Sequence, residues 1–177
     1  MGVAEPFPKY KLFVAVIFNP IINFDEIIAR CGELWGAIDY ISEIMDFSFT
    51  DYYEEEMGRG LKRFFIAFKE LVYPSLLADI KIASNNLENE FLRNGRRFVN
   101  LDPGLINLSR VILATTKDNA HRIPLRDGIY AEITLLYRKK DFLSLPWTYP
   151  DYREESYKKV LSDIRNLFKS QISQSEI

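Results

Sequence analysis

The sequence is poor in the residues that build cross-links and metal centres. Its 177 residues include one cysteine, Cys31, and one histidine, His121. A single cysteine excludes a disulfide framework within the chain and a cysteine-based zinc site, and it fits a reducing compartment. We therefore expect a cytoplasmic protein.

The sequence also lacks a basic excess and long apolar runs. Its 23 lysine and arginine residues are set against 25 aspartate and glutamate residues, which gives a net charge of -2. This balance argues against a nucleic-acid partner, because neutralising phosphates dominates such binding. No stretch approaches the roughly 20 apolar residues of a membrane helix, and the N-terminus has no apolar run of signal-peptide length. We expect neither nucleic acid nor a membrane as a partner.

Three motifs of common enzyme classes are missing. The chain contains no G-x-x-x-x-G-K-[ST] phosphate loop and no G-x-G-x-x-G dinucleotide motif, so a P-loop or Rossmann cofactor site has no support. It also contains no G-x-S-x-G, the turn that carries the nucleophile of many serine hydrolases. The sequence leaves the cofactor unknown, with Mg²⁺ as one possibility.

Length and composition predict one globular domain that spans residues 1–177. Hydrophobic residues make up 47% of the chain and charged residues 27%, which is ordinary for a soluble domain with a sizeable core. Prolines and lysines interrupt the start of the chain, and its end is polar. We therefore expect residues 1–9 and 171–177 to be flexible.

Hydrophobic periodicity predicts an α+β fold, with a mainly antiparallel sheet and helices on one of its faces. The first 100 residues match the βαββαβ order of ferredoxin-like folds, and a β-hairpin and a C-terminal helix follow. The helix that begins at Ser75 is expected to bury one apolar stripe. The predicted elements are strand 11–19, helix 23–36, strand 38–49, a helical turn from 51, strand 61–73, helix 75–94, strand 97–101, turn 102–104, strand 109–116, a hairpin with its second strand at 129–137, and helix 154–172. The apolar stripe of the helix that begins at Ser75 consists of Leu76, Ile80, Ala83, Leu87 and Phe91.

Asp127 and Gly128 mark the turn of the hairpin, and two registers compete. A two-residue turn would pair Arg126 with Ile129, whereas a three-residue loop with a bulge would pair Leu125 with Ile129. A slip of one residue exchanges the two faces of the hairpin, so only the second register collects the apolar residues on one side. We therefore favour the second register. Its remaining pairs are Ile123 with Ala131, Arg122 with Glu132, and His121 with Ile133.

This register assigns the polar residues near the hairpin to its two faces. Arg122 and Glu132 would form a cross-strand ion pair on the polar face, and His121 would lie on the apolar face. On the plainest interpretation, the pair is a surface contact that contributes roughly 0–1 kcal/mol, and His121 is a hydrogen-bonded residue at the edge of the core. On the functional interpretation, these residues and their polar neighbours together form a ligand site.

A candidate ligand site is predicted where a strand ends in polar residues. Thr115, Thr116 and Lys117 leave the strand, and Arg122 follows within the same stretch. Lys117, Arg122 and the threonine hydroxyls could hold a phosphate or carboxylate, because the arginine fork matches such anions. Tyr149 would flank the pocket.

Candidate catalytic residues come from the same part of the chain. Asp102 is predicted in a turn just before the strand that carries the ligand site. Glu132, Asp102 and Asp51 could accept protons or hold Mg²⁺. His121 could act as a general base because the ordinary pKa of imidazole is near neutral.

Several phrases of the chain together resemble domain-of-unknown-function family 4416, a group of small proteins of bacteria and archaea. The phrases are FTDYYEEEMG (49–58), NLDPG (100–104), ATTKDNAHRI (114–123), DGIYAEITL (127–135) and PWTYPDY (146–152). The resemblance covers residues 11–168 and implies no activity. The chain departs from the family pattern at Pro124, where the pattern has an aromatic residue, and at Leu105, where it has tyrosine. A site lined by those two aromatic residues would be altered here.

Two hypotheses about function follow. The first is a protein that binds a small anionic ligand, phosphorylated or nucleotide-like, and that could act on it as an enzyme. The second is a non-catalytic interaction module that forms a homodimer or a partner contact. Convergence of Arg122, Glu132, Lys117 and Asp102 in a cleft would favour the first. Their dispersal over a convex face, beside a patch of exposed aromatic residues, would favour the second.

Overall fold

The computed structural model describes residues 2–175. Of the two ends expected to be flexible, Met1 and residues 176–177 lie outside the described residues. Residues 2–9 precede the first strand, and residues 171–175 belong to the last helix. The helices and strands are β1 Tyr10–Phe18, α1 Phe24–Trp35, β2 Ile38–Ile41, β3 Met45–Asp46, α2 Glu54–Met57, β4 Lys62–Val72, α3 Leu77–Glu90, β5 Val99–Ile106, β6 Arg110–Thr115, β7 Ile123–Arg126, β8 Ile129–Arg138, β9 Asp141–Ser144 and α4 Glu155–Ser175.

The nine strands of the described chain form one antiparallel sheet. Its order is β2-β4-β1-β5-β6-β8-β7, and β3 and β9 pair with β4 and β8 respectively. The predicted α+β class, antiparallel sheet, hairpin and C-terminal helix are confirmed. Two further elements, β3 and α2, lie between β2 and β4, where the plain βαββαβ order has none. The ferredoxin-like start therefore stays a prediction.

The helices cover both faces of the sheet. On one face, α1 and α3 contribute Ile27, Cys31 and Leu87 to an apolar core with the facing side chains of the strands. On the other face, α4 contributes Leu161 and Ile164 to a second core. The expectation of helices on one face therefore holds for α1 and α3, and α4 is the exception.

The central strands are buried on both faces, which explains why their sequences are apolar without alternation. Every residue of β1 is buried, and so is every residue from Phe64 to Phe68 in β4. One charged residue lies within β1: the amino group of Lys11 contacts the Asp39 carboxylate at 2.7 Å and the Phe68 carbonyl oxygen at 2.9 Å. The core therefore accommodates a lysine whose charge is paired.

The segment Asp102-Pro103-Gly104 is part of a strand and not the predicted turn. In β5, Asp102 pairs with Ala15 of β1, and Pro103 pairs with Val14. Proline is tolerated inside a strand where its missing N–H would face an edge without a partner strand. This condition holds here, because β5 pairs with β6 only from Gly104 onwards.

The hairpin of β7 and β8 combines features of both predicted registers. Asp127 and Gly128 both have positive φ, 51° and 74°, which is typical of a two-residue type I′ turn. The turn pairs Arg126 with Ile129, so the predicted three-residue loop is wrong. The register then shifts between Arg126 and Pro124, at Leu125. Further along, Ile123 pairs with Ala131, as predicted.

Candidate functional site

A cavity of about 570 Å³ opens where the sheet separates between β5 and β6. The two strands pair only through Gly104–Ile106 and Val111–Leu113. The first half of β5 and the end of β6 therefore form two walls of the cavity. The charged residues that line it are Arg63, Lys81, Glu88, Arg97, Asp102, Lys117, Glu132 and Asp151.

Two side chains of α3 take the place of a partner strand along the open half of β5. The Leu101 N–H donates to the Glu88 carboxylate at 2.7 Å, and the Lys81 amino group donates to the Leu101 carbonyl at 2.8 Å. Lys81 and Glu88 are both buried. Because a buried backbone group without a partner is costly, these bonds allow the sheet to separate at this point.

The buried side of α3 therefore differs from the predicted apolar stripe. Ile80, Leu87 and Phe91 are buried as expected, whereas Leu76 is 43% exposed and Ala83 is half-buried. A second buried stripe carries polar side chains at helical spacing. It consists of Lys81, Ser84 and Glu88.

Asp102 is a cavity-lining carboxylate with one close and one distant contact. Its side chain is 28% exposed, although the other residues of β5 are buried. One carboxylate oxygen accepts from the Asn100 amide at 2.6 Å, and the other lies 3.4 Å from the Lys81 amino group. The second contact is long for a charge-assisted hydrogen bond, so this oxygen keeps the capacity to accept another.

Arg63 is the most unusual charged residue of the cavity. It is 2% exposed, and one of its nitrogens contacts the Asp151 carboxylate at 3.2 Å. Within residues 2–175, Nε and Nη1 have no hydrogen-bond partner. The guanidinium carbon lies 5.0 Å from the centre of the Phe47 ring and 5.7 Å from that of Tyr157. Aromatic faces therefore stabilise the cation. The buried Tyr157 hydroxyl also interacts with the guanidinium, and this interaction opposes the rise in the pKa of Tyr157 to about 12 that burial causes.

The groups around Arg63 have strongly displaced pKa values. Burial raises the pKa of Tyr152 well above its ordinary value, so its hydroxyl stays protonated. That hydroxyl also has no hydrogen-bond partner in the described chain. Burial raises the pKa of Asp151 as well, against the opposing influence of Arg63. Burial alone would lower the pKa of Arg63, but its neighbours, Tyr152 first among them, raise it. This end of the cavity therefore presents a permanent cation beside a neutral phenol.

The predicted pair of Arg122 and Glu132 is present, but it is buried and belongs to a larger network. Arg122 Nε lies 2.8 Å from the Glu132 carboxylate, Nη1 donates to the Lys117 carbonyl at 2.8 Å, and Nη2 donates to the Tyr149 hydroxyl at 2.5 Å. The second carboxylate oxygen of Glu132 accepts from Thr134 at 3.2 Å. Burial raises the pKa of Tyr149 to about 12. With all three guanidinium nitrogens bonded, Arg122 holds this wall of the cavity in place.

His121 does not lie opposite Ile133, as the predicted register required. It precedes β7, and its ring stacks on Trp147 with the ring centres 5.0 Å apart. Its Nε2 lies 3.2 Å from the Glu132 carboxylate. The predicted pairing is wrong because β7 begins only at Ile123, and the preceding residues turn towards the buried carboxylate.

The rim of the cavity joins the end of β6 to the segment before α2. The Lys117 amino group lies 4.2 Å from the centre of the Tyr52 ring, a cation–π contact. On the other side of that segment, Arg97 contacts the Glu56 carboxylate at 2.7 Å and the Glu88 carboxylate at 2.9 Å. Residues before and within α2 are therefore tied to the cavity walls on two sides.

The structure brings most of the predicted site residues together. Arg122 and His121 are not among the residues that line the cavity, and both contact Glu132, which does. The predicted residues that line the cavity are Asp102, Thr115, Thr116, Lys117, Glu132 and Tyr149.

Sequence reasoning missed the residues that come from distant elements. Arg63 lies directly before the apolar run of β4, and a charge next to such a run was a usable signal. Lys81 and Glu88 are seven residues apart, which places them on one face of a helix. Asp151 and Tyr152 belong to one of the phrases that carry the family resemblance. No pattern in the sequence connects these three regions.

The described part of the chain has neither a cluster of metal-binding side chains nor a helix that could span a membrane. Within residues 2–175, no three histidine, cysteine, aspartate or glutamate side chains lie together in a way that could hold a metal ion. Glu132, Asp102 and Asp51, the residues considered for Mg²⁺, accordingly do not form such a group. Over the same part of the chain, no helix combines the length and hydropathy needed to cross a bilayer.

Comparison with known proteins gives a family and no closer relative. Neither a curated protein nor a solved structure matches the chain. One family model matches residues 8–168, which include every element of the cavity described above. The chain belongs to the family described as Domain of unknown function (DUF4416).

Proposed function

We propose that the protein binds a small anionic ligand in the cavity between β5 and β6, with a phosphate or carboxylate group against Arg63. The observation that carries this proposal is the pair of N–H groups on Arg63 that have no acceptor within the described chain. Leaving a buried donor without a partner costs about 1–3 kcal/mol. An oxyanion in the cavity would supply an acceptor for one of these groups, in a charge-assisted hydrogen bond.

The surroundings of Arg63 suit an anion. The protonated hydroxyl of Tyr152 is a further donor that lines the same cavity. Lys117 at the rim is exposed and has a ring contact but no carboxylate partner within the described chain. A cavity of about 570 Å³ is within the range of small-molecule sites. The ligand that these features fit is an organic anion.

This proposal changes the role of Arg122. The sequence suggested that Arg122 would hold the anion together with Lys117, but its three nitrogens already bond protein atoms. Arg63 takes the anion-binding role in the proposal, and Arg122 supports the wall. Of the carboxylates suggested for acid–base work, Asp102 has the greater access to the cavity, because the Glu132 side chain is only 1% exposed.

The alternative of a non-catalytic interaction module has less support. It would be favoured if the polar candidates were spread over a convex surface. Six of the eight candidates line one concave site instead. The ligand hypothesis therefore has the greater support.

The proposal can be tested by thermal unfolding in the presence of candidate anions. The panel contains inorganic phosphate, sugar phosphates, nucleotides and small carboxylates. A ligand present at about 100 times its Kd adds about 2.7 kcal/mol of stability, which raises Tm by several degrees. We expect at least one member of the panel to do so with the wild type.

Two lysine variants locate the site. Arg63→Lys keeps the charge but removes the fork, and we expect it to abolish the ligand-induced rise in Tm. Arg110→Lys is the matched control, since Arg110 Nε is also buried without a partner but Arg110 does not line the cavity. We expect the rise to be retained in this control. The proposal fails if no member of the panel raises Tm, or if Arg63→Lys responds as the wild type does.

A further inference from the structure

The cavity contains a second polar site, which bears on the chemical class of the ligand. Asp102 lines the cavity with a partly exposed carboxylate, and one of its oxygens has only the 3.4 Å contact to Lys81. The group that would bind there must donate a hydrogen bond. Since the Lys81 ammonium is already beside this oxygen, a neutral hydroxyl fits better than a second cation.

Arg63 and Asp102 lie on the same face of the sheet and on opposite sides of β1. Arg63 pairs with Ile17, and Asp102 pairs with Ala15, two residues earlier in that strand. Two inter-strand spacings and one two-residue step separate the two Cα atoms by about 12 Å. Since both side chains line the same cavity, a single small organic molecule can contact both.

Part of the cavity lining is aromatic and apolar. Phe47, Tyr53, Leu113 and Ala114 contribute to it. Such a surface suits the C–H face of a sugar ring or a short carbon chain. It leaves the polar ends of the ligand to the two charged groups.

We infer that the ligand is a hydroxylated organic anion, a sugar phosphate or a sugar acid, whose anionic group lies against Arg63 while a hydroxyl group donates to Asp102. This inference depends on the proposed function for its anionic end. The hydroxyl end depends only on Asp102. The two ends can therefore be tested separately.

The test compares ligands with and without hydroxyl groups by isothermal titration calorimetry. The hydroxylated probes are glycerol 3-phosphate, ribose 5-phosphate, glucose 6-phosphate and gluconate, which together cover phosphate and carboxylate. The comparison probe is n-hexyl phosphate, which keeps the anion and the chain but has no hydroxyl group. We expect at least one hydroxylated probe to bind 10-fold more tightly than n-hexyl phosphate. The identity of that probe distinguishes a sugar phosphate from a sugar acid.

The same titrations with Asp102→Asn assign the difference in affinity to one residue. We expect the variant to lose most of the 10-fold advantage and to bind n-hexyl phosphate as the wild type does, which also shows that it is folded. Asp46→Asn, at an exposed carboxylate outside the cavity, is the matched control and should change neither affinity.

Each outcome decides between the two claims. If n-hexyl phosphate binds in an Arg63-dependent way and no hydroxylated probe binds more tightly, the inference about the hydroxyl group is wrong and the proposed function stands. The inference is also wrong if Asp102→Asn keeps the advantage. If none of the probes binds, both claims are overturned.

Discussion

Two arginines beside the cavity, Arg63 and Arg122, are both buried but differ in their hydrogen bonding. All three nitrogens of Arg122 contact the Glu132 carboxylate, the Lys117 carbonyl or the Tyr149 hydroxyl. Arg63 contacts Asp151 through one nitrogen, and the other two have no hydrogen-bond partner within the described chain. The same residue type therefore occurs once with all three nitrogens bonded and once with a single nitrogen bonded.

This difference distinguishes an arginine that supports the fold from the arginine that we propose binds a ligand. Folding recovers the cost of burying a guanidinium only if its donors are satisfied, which is the case for Arg122. Arg63 keeps part of that cost, and a protein tolerates such a cost most readily where a ligand offsets it. Burial or charge alone would not have distinguished the two residues.

The largest effect is expected from replacing each arginine by methionine. Arg122→Met leaves the Glu132 carboxylate buried without its closest cation, and we expect it to lower the free energy of unfolding by about 3–5 kcal/mol. Arg63→Met should cost clearly less, because it removes donors that make few bonds and because Asp151 can take up a proton. Urea unfolding at neutral pH measures both values. Equal losses would show that the two arginines do not differ in the way described here.

The next effect concerns the open half of β5. Glu88→Ala removes the acceptor of the Leu101 N–H, and we expect a loss of about 1–3 kcal/mol in the free energy of unfolding. Glu90→Ala, on the same helix, removes an exposed carboxylate paired with Arg30 and should cost no more than about 1 kcal/mol. Similar losses in urea unfolding would mean that Glu88 does not act as a substitute strand partner.

The pH dependence of stability tests the environment of Asp151. Burial raises the pKa of Asp151 in the folded protein above its ordinary value. The folded state therefore holds this proton at a pH where the unfolded state has lost it, so the contribution of Asp151 to stability falls as pH rises from about 4 towards the raised pKa. Asp151→Asn lacks this contribution. We expect the free energy of unfolding of the wild type, minus that of Asp151→Asn, to decrease over this range. A difference that increases with pH would contradict the assignment.

The smallest effect is expected at the edge of the Arg122 network. Tyr149→Phe removes the hydroxyl that accepts from Arg122, and we expect it to cost about 0.5–1.5 kcal/mol. Tyr73→Phe, at an exposed tyrosine whose ring contacts Lys9, is the control and should be neutral. Chemical denaturation of both variants gives the comparison. A neutral Tyr149→Phe would show that the saturation of Arg122 does not depend on this hydroxyl.

Much of the fold could be predicted from local patterns. The apolar runs of β1 and β4 and the amphipathic C-terminal helix were visible in the sequence. The hairpin shows the limit of such patterns. The apolar alternation gave the correct partner for Ile123, but a bulge at Leu125, and not the turn type, produces that register. Asp102-Pro103-Gly104 carries turn residues, yet it is a strand because the edge of β5 is open there.

The candidate site could be predicted only where its residues are close in sequence. Thr115, Thr116 and Lys117 form one such group. Arg63 reaches the cavity from β4 and meets Asp151 across 88 residues of chain. Such a contact depends on tertiary packing and has no local signal. The sequence therefore indicated six residues that line the cavity, but it assigned the anion-binding role to an arginine whose three nitrogens all bond protein atoms.

The most direct test follows the two arginine Nε–H groups by NMR while phosphate and n-hexyl phosphate are titrated. The signals are assigned by their absence in Arg63→Lys and Arg122→Lys. We predict a saturable shift of the Arg63 Nε–H signal, because an oxyanion becomes its acceptor, and an Arg122 signal that stays in place. A shift of the Arg122 signal alone, or of neither signal, would contradict the central claim that Arg63 is the anion-binding group.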